Sequence, residues 1–198
     1  MKPLSEEDMN EIDRELEINN TKPMDSFLPD NYKEPVTTNY MKFKNGNNTF
    51  RVLGSAVIGW EYWIKQVVEG KEKPKSIRVQ NEEMIPKSEV VADKFEKPNF
   101  YFFWAFPVYN FNDVRIQILK IRQKSIREDI QKNIKNPKWG NPRDYNFVVS
   151  MDKERKPMYS VGVEPKEELS KAIIDKYHSM NIDMSIWMQG GDPFIKNE

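Results

Sequence analysis

Residues 100–111 of this 198-residue chain read Phe-Tyr-Phe-Phe-Trp-Ala-Phe-Pro-Val-Tyr-Asn-Phe, the most apolar run in the sequence. As a strand it carries rings on both faces: Phe102, Trp104, Phe106 and Val108 on one, Tyr101, Phe103, Ala105, Tyr109 and Phe111 on the other. Such a strand cannot belong to a sheet with one bare wet side. One face fills a core and the other needs a second cover, either protein or ligand. Asn112-Asp113 then turns the chain into a second strand, Val114 to Arg122, so the run is the first arm of a hairpin.

The flanking segments extend the same pattern. Asn45-Gly46-Asn47-Asn48 is a turn, after which Phe50, Val52, Ala56 and Ile58 share one phase of a strand that Gly54 and Gly59 allow to bend. Trp60 to Val68 continues or partners it. Residues 69–98, crowded with charges and holding three prolines, read as a long, partly structured loop with one β-like run at Ser76 to Gln80. Ser125 and Glu128 form a capping box for a helix that places Ile126, Ile130 and Ile134 on one face and ends before Pro137. A second hairpin pairs Tyr145–Met151 with Met158–Val163 across the charged connection Asp152–Pro157. Pro165 opens a last helix to about Tyr177 that buries Leu169, Ala172 and Ile173.

Two appendages frame this body. Met9, Ile12 and Leu16 predict a short amphipathic helix over residues 5–18, and Pro23, Pro29 and Pro35 an extended linker behind it. Residues 1–35 carry a net charge of −6, residues 36–163 +9 and residues 164–198 −3, so a zero total hides a basic middle between acidic ends. A basic body attracts a polyanion, and acidic ends compete with it or meet another protein. The domain reading follows these shifts: helix and linker to 35, binding domain 36–163, C-terminal helix and tail 164–198.

Strand, long loop, strand, strand, helix, strand, short basic loop, strand is the order of an OB-fold, a five-stranded barrel with its helix between the third and fourth strands. A β-sandwich with one crossover helix is the competing architecture. The chain has no cysteine and one histidine, His178, which removes disulfides, thiolate metal sites and thiol nucleophiles and leaves no multi-histidine metal site. No apolar run reaches the ~20 residues of a membrane span. The expectation is a soluble protein of a cytoplasm-like compartment, with no cofactor, metal or catalytic residue.

An OB barrel binds extended polymers on the face around its second and third strands and through its first-to-second and fourth-to-fifth strand loops. Single-stranded nucleic acid asks that surface for cations along the phosphates and rings under the bases. The basic middle interleaves both, and the candidate contacts are Lys42, Arg51, Trp60, Trp63, Lys65, Arg78, Tyr109, Phe111, Arg115, Lys120 and Arg122, with Lys153, Arg155 and Lys156 in the basic loop. Trp60 and Trp63, three apart, fall on opposite faces of a strand, so one of them is available to a base. Phe102, Trp104 and Phe106 belong to the core, which a small barrel fills with large side chains.

Several segments together resemble the OB-fold single-stranded-DNA-binding proteins of tailed bacteriophages. They are Asn39–Phe43, Asn48–Leu53, Ile58–Trp63, Phe103–Phe106 with Val108–Asn110, Ile116–Leu119 leading into Gln123–Ile126, Trp139–Pro142 with Tyr145, and the tail Gly190-Gly191-Asp192-Pro193-Phe194. The resemblance implies a non-enzymatic protein of the host-cell cytoplasm. It would coat exposed single strands during phage replication, recombination or repair, and dock phage or host partner proteins through Asp192, Pro193 and Phe194. The chain departs from that pattern in its four further residues, Ile195-Lys196-Asn197-Glu198, and in the extra N-terminal helix. Two rivals come from other classes. One is a metal-dependent nuclease using the Glu-x-Lys spacings at Glu69/Lys71 or Glu154/Lys156. The other is a virion or assembly protein that uses the barrel for protein contacts.

Overall fold

Alternation in the basic middle resolves into eight strands: β1 (Tyr40–Met41), β2 (Gly46–Val52), β3 (Val57–Val68), β4 (Lys71–Val79), β5 (Phe100–Asn110), β6 (Arg115–Ile121), β7 (Tyr145–Met151) and β8 (Tyr159–Lys166). Among the described residues three α-helices accompany them, α1 (Lys124–Lys135), α2 (Lys171–Ser179) and α3 (Met184–Met188), with a short 3-10 turn at Glu82–Met84. The structure is a computed structural model that describes residues 38–194. The expected helix at 5–18, the linker behind it and residues 195–198 lie outside the described residues.

The aromatic run, β5, is the strand to which most of the sheet attaches. One edge pairs antiparallel with β6, from Trp104↔Ile121 to Asn110↔Arg115. The other edge is shared: β3 takes its first half, Tyr62↔Phe100 to Val57↔Ala105, and β2 its second, Val52↔Val108 to Phe50↔Asn110. β7 lies beside β2 and β8 beside β7, while β1 runs parallel to β6. The order β1-β6-β5-β2-β7-β8, with β4 attached to β3, makes a mixed, open sheet in a mainly β chain.

The expected closed, five-stranded barrel is therefore corrected to an open sheet of eight strands. The outer edge of β6 is taken by the parallel segment Asn39–Met41, where the Ile118 amide donates to the Asn39 carbonyl at 2.9 Å, and not by β8. Side chains fill the interior instead. Met41, Phe50, Phe106, Leu119, Ile121, Tyr145 and Phe147 form one cluster with Ile126 and Ile130 of α1, and Phe43 meets Tyr159 of β8 with centroids 6.2 Å apart. This cluster brings together residues from β1, β2, β5, β6, β7 and α1. Phe50 and Phe147 stack at 5.7 Å near its centre.

Part of the expected loop 69–98 is a strand. β4 pairs with β3 over nine registers, Trp60↔Val79 to Val68↔Lys71. Charge hid its outer half from the sequence: Lys71 to Lys75 are exposed and bury no face, so apolar alternation shows only at the β-like run Ser76 to Gln80, where Ile77 and Val79 pack. Pro74 fits because β4 pairs only with β3 and one of its edges needs no donor. Residues beyond β4 return over the ribbon, and Ile85 and Val90 pack on Tyr62 beside Trp60, Ile64, Ile77, Val79 and Phe100. α1 with the curled sheet and this loop cover the face of β5 that carries Phe100, Phe102 and Phe106, and the second cover, over Phe103 and Ala105, comes from the C-terminal segment that holds Trp187.

The helices differ from expectation at their ends. α1 starts at Lys124 with Gln123 as an N-cap that makes no side-chain bond, so the expected Ser125/Glu128 box is absent, and Ile134 is 41% exposed while Ile126 and Ile130 are buried. β8 runs on through Pro165 to Lys166, which delays the last helix to Lys171. Ala172 is consequently exposed, and Leu169 and Ile173 are half-buried, not buried. The five-residue α3 was unforeseen; Asp183 caps it by accepting from the Ser185 amide at 2.8 Å.

Candidate nucleic-acid interface

On β3, β5 and β6, the side chains pointing away from the main core form one continuous outer face. Strand registers align Glu61 with Tyr101 and Arg78, Trp63 with Ser76, and Ala105 with Lys120. Glu61 sits at the centre, 1% exposed. Its carboxylate accepts from Lys120 Nζ at 2.8 and 2.9 Å, Arg122 Nη2 at 2.8 Å, Ser76 Oγ at 2.9 Å and Arg78 Nε at 3.3 Å. Burial alone would raise this carboxyl, but the hydrogen bond and charge of Lys120, the Ser76 hydroxyl and the Arg122 charge outweigh it and hold Glu61 below the usual carboxylate range. Burial pulls Lys120 below the ordinary lysine value, against the pull of Glu61 and with that of Arg122 and Arg78. One buried anion thus gathers three cations into a fixed array.

The array continues outward into rings. Arg122 lies 5.0 Å from the centroids of both Trp63 and Tyr101, whose rings meet edge to face at 5.8 Å. Trp63 is half-buried, and Tyr101 is 39% exposed. A guanidinium clasped by a carboxylate holds these π surfaces in place, which lowers the ordering cost of stacking a third ring.

The other half of the face is covered by the C-terminal segment. Trp187, 1% exposed, meets Phe103 edge to face at 5.5 Å and packs with Ala105 and Ile118, joined by Ile182, Met184, Met188 and Phe194. Arg78 stacks 3.9 Å from the Trp187 ring centroid and donates from Nη1 to its carbonyl at 2.6 Å. Gly59 makes this approach feasible: a Cβ there would lie 2.5 Å from the Val79 carbonyl oxygen and 2.7 Å from Met188 Cε.

Comparison with protein-family models, with curated proteins and with solved structures gave no match. The geometry therefore stands by itself, and it divides the sequence-predicted residues into three groups. Trp63, Arg78, Lys120 and Arg122 come together on the outer face, and Lys65 stands on the β3–β4 ribbon paired with Glu72 at 2.9 Å. A second group collects at the opposite end of β5. Tyr109 and Phe111 meet edge to face at 4.9 Å, and Arg115 donates to the Asp113 carbonyl at 3.3 Å. Lys42 is exposed, as are Lys153, Arg155 and Lys156 at the β7–β8 tip. Tyr101 and Tyr109 are eight strand residues apart, about 27 Å.

The third group is turned inward. Trp60 packs edge-on against Phe100 at 5.7 Å and Phe102 at 5.3 Å under the returning loop, so of the two tryptophans Trp63 is the one on the open face. Arg51 is 1% exposed and bonded within the fold. In the tail, Pro193 is buried and accepts from the Asp183 amide at 3.0 Å, Asp192 Oδ1 accepts from the Phe194 amide at 3.0 Å, and Phe194 packs with the Trp187 cluster. Sequence reasoning missed Tyr101 and Glu61 as site residues. The alternation already placed Tyr101 on the outer phase, and Glu61 is the lone acid inside the run Val57 to Val68.

The Glu-x-Lys pairs lie at exposed hairpin turns, Glu69/Lys71 between β3 and β4 and Glu154/Lys156 between β7 and β8. Among the described residues, no group of three or more His, Asp or Glu side chains is arranged to hold a metal ion, and no helix is long and apolar enough to cross a membrane.

Proposed function

We propose that this chain is a sequence-tolerant, non-enzymatic single-stranded-DNA-binding protein built on an open variant of the OB-fold. The path β6-β5-β2-β7-β8, with α1 between β6 and β7, supports this reading by its strand order and helix position, although β6 and β8, which a closed barrel would pair, are not neighbours. The reading is carried by one observation: Trp63, Tyr101 and Arg122 present fixed rings beside a cation array on the sheet face that OB-folds use for extended polymers. Base stacking there is indifferent to sequence, because every base has a π face. Lys65 and the other lysines of the β3–β4 ribbon supply phosphate contacts at this end, and Lys153, Arg155 and Lys156 at the other.

The role suggested by the bacteriophage resemblance follows from this chemistry: coating strands exposed during replication, recombination or repair in the host cytoplasm. Docking of partner proteins by Asp192, Pro193 and Phe194 requires the C-terminal segment to leave the sheet, since Pro193 and Phe194 pack there. The test is a competition at fixed ionic strength between an unlabelled single strand, its duplex and a matching RNA for a protein-bound labelled oligo-dT. Single-stranded DNA should displace the label at far lower concentration than duplex does. Equal displacement by both refutes stacking as the source of affinity and favours a surface built for protein contacts.

A further inference from the structure

Arg51 has its charge buried without a matching anion. Its Nε donates to Asn146 Oδ1 at 2.8 Å, and its Nη1 to the carbonyls of Glu167 at 2.8 Å and Arg143 at 3.1 Å. All three acceptors are neutral. Among the described residues no carboxylate forms an ion pair with Arg51; Asn146 in turn donates from Nδ2 to Glu164 at 2.8 Å, and Nη2, with no protein acceptor, is not sealed from solvent. Burial pulls this guanidinium below its ordinary pKa, while Glu167, Asp144 and Glu164 push it back up from beyond pairing distance. A guanidinium does not shed its proton in water near neutrality, so the cost of burying it must be met by partners.

Arg51 lines a cleft of about 670 Å³ between the end of β2, the 141–144 turn, the end of β8 and α2. Arg143, Lys166 and His178 line the same cleft, and Leu53, Leu169 and Ile174 give it an apolar wall. Three acids line it too: Asp144 lies 3.8 Å from Lys166, and Glu167 and Glu168 are exposed at its rim. The volume lies within the range of small-molecule sites, roughly 300–1,000 Å³.

We propose that this cleft is a binding site for a phosphate-bearing molecule of nucleotide size, with phosphate between Arg51 and Arg143 and the ring system against the apolar wall. Phosphate suits the site better than a single carboxylate, because its several acceptor oxygens can take the remaining Nη2 protons of Arg51 and a contact from Arg143 at once. The cleft is separate from the Trp63 face, so the proposal holds or fails independently of single-strand binding there. A free nucleotide and the 5′-phosphate at the end of a DNA strand present the same chemistry.

Thermal denaturation of the full chain with millimolar dTMP, thymidine or inorganic phosphate tests it. dTMP should raise Tm by about 5 °C, and thymidine should leave it unchanged. Replacing Arg143 by alanine should weaken dTMP binding by about tenfold or more, the effect of losing a charge-assisted contact. Lys166→Ala serves as a second variant with a smaller loss should Arg143→Ala prove poorly folded. Phosphorylated and hydroxyl-ended oligo-dT distinguish the two sources: a preference for the phosphorylated end that Arg143→Ala abolishes assigns the site to strand ends, and dTMP binding without that preference assigns it to free nucleotides. No rise in Tm with dTMP, or a rise that both variants retain in full, overturns the proposal.

Discussion

Replacing Trp63 by alanine should weaken binding of oligo-dT roughly 5- to 150-fold, the loss of one ring-on-base stack worth ~1–3 kcal/mol. The fold should tolerate the change. Trp63 is half-buried on the outer face, and its ring contacts are Tyr101 and Arg122, both partly exposed. Trp60 supplies the control, since it packs against Phe100 and Phe102 under the loop that carries Ile85 and Val90. Trp60→Ala should lower the denaturation midpoint and leave the affinity of the remaining folded protein nearly unchanged. Fluorescence anisotropy with labelled oligo-dT, alongside urea melts of both variants, separates the two effects. Equal losses of affinity in both would mean that the assignment of faces does not determine binding.

The second large effect belongs to Glu61. Glu61→Gln keeps the shape of the side chain but leaves Lys120, Arg122 and Arg78 facing one another on a half-buried surface without the anion that gathers them. Breaking a buried pair of this kind costs about 3–5 kcal/mol, which for a domain of this size lowers Tm by roughly 10 °C. Binding should move in the opposite direction. Lys120 and Arg122, released from an internal carboxylate, become available to phosphates while Arg78 stays on Trp187, so affinity at low salt should hold or rise, and its salt dependence should steepen by ~0.7 in log–log slope for each further phosphate neutralised.

The same residue fixes the sign of a pH effect. The folded-state pKa of Glu61 lies below its unfolded value of about 4.3, so its contribution is fully present above that value. The contribution is lost as pH falls through the depressed folded value. The stability difference between the wild type and Glu61→Gln should therefore be constant from pH 7 to about 5 and shrink at lower pH. A difference that instead grew on acidification would mean that Glu61 is held protonated in the fold.

How much of this the sequence disclosed depended on how local each cause was. β5, β6, α1, β7 and β8 were legible because each buries a periodic apolar set, and hairpin or helix geometry converts that period into structure within about a dozen residues. The opposite orientations of Trp60 and Trp63 came from the same local rule. β4 was seen only as the β-like run Ser76 to Gln80, because its outer half, Lys71 to Lys75, is exposed and obeys no burial pattern, and β1 and α3 were missed because two and five residues carry too little periodicity to register.

The fates of Arg51 and Trp187 were hidden for a different reason. Arg51 lies on the polar phase of β2, where a solvated cation is the ordinary reading. It is buried because Asn146 and the carbonyls of Arg143 and Glu167, roughly a hundred residues away in sequence, converge on it. Trp187 likewise finds its place on Phe103, Ala105 and Ile118, which alternation marked as needing cover without saying by what. A second covering element could be inferred from the two-faced aromatic strand, but its identity was a tertiary matter.

Intrinsic tryptophan fluorescence during an oligo-dT titration is the most direct examination of the central claim. Trp104 and Trp139 pack against the main core, Trp187 is sealed on the sheet and Trp60 lies under the loop, which leaves Trp63 beside the proposed strand path. Saturable quenching should occur at low salt, weaken as salt is added, and largely vanish in Trp63→Phe. No quenching at low salt, or quenching that Trp63→Phe retains in full, would contradict the account.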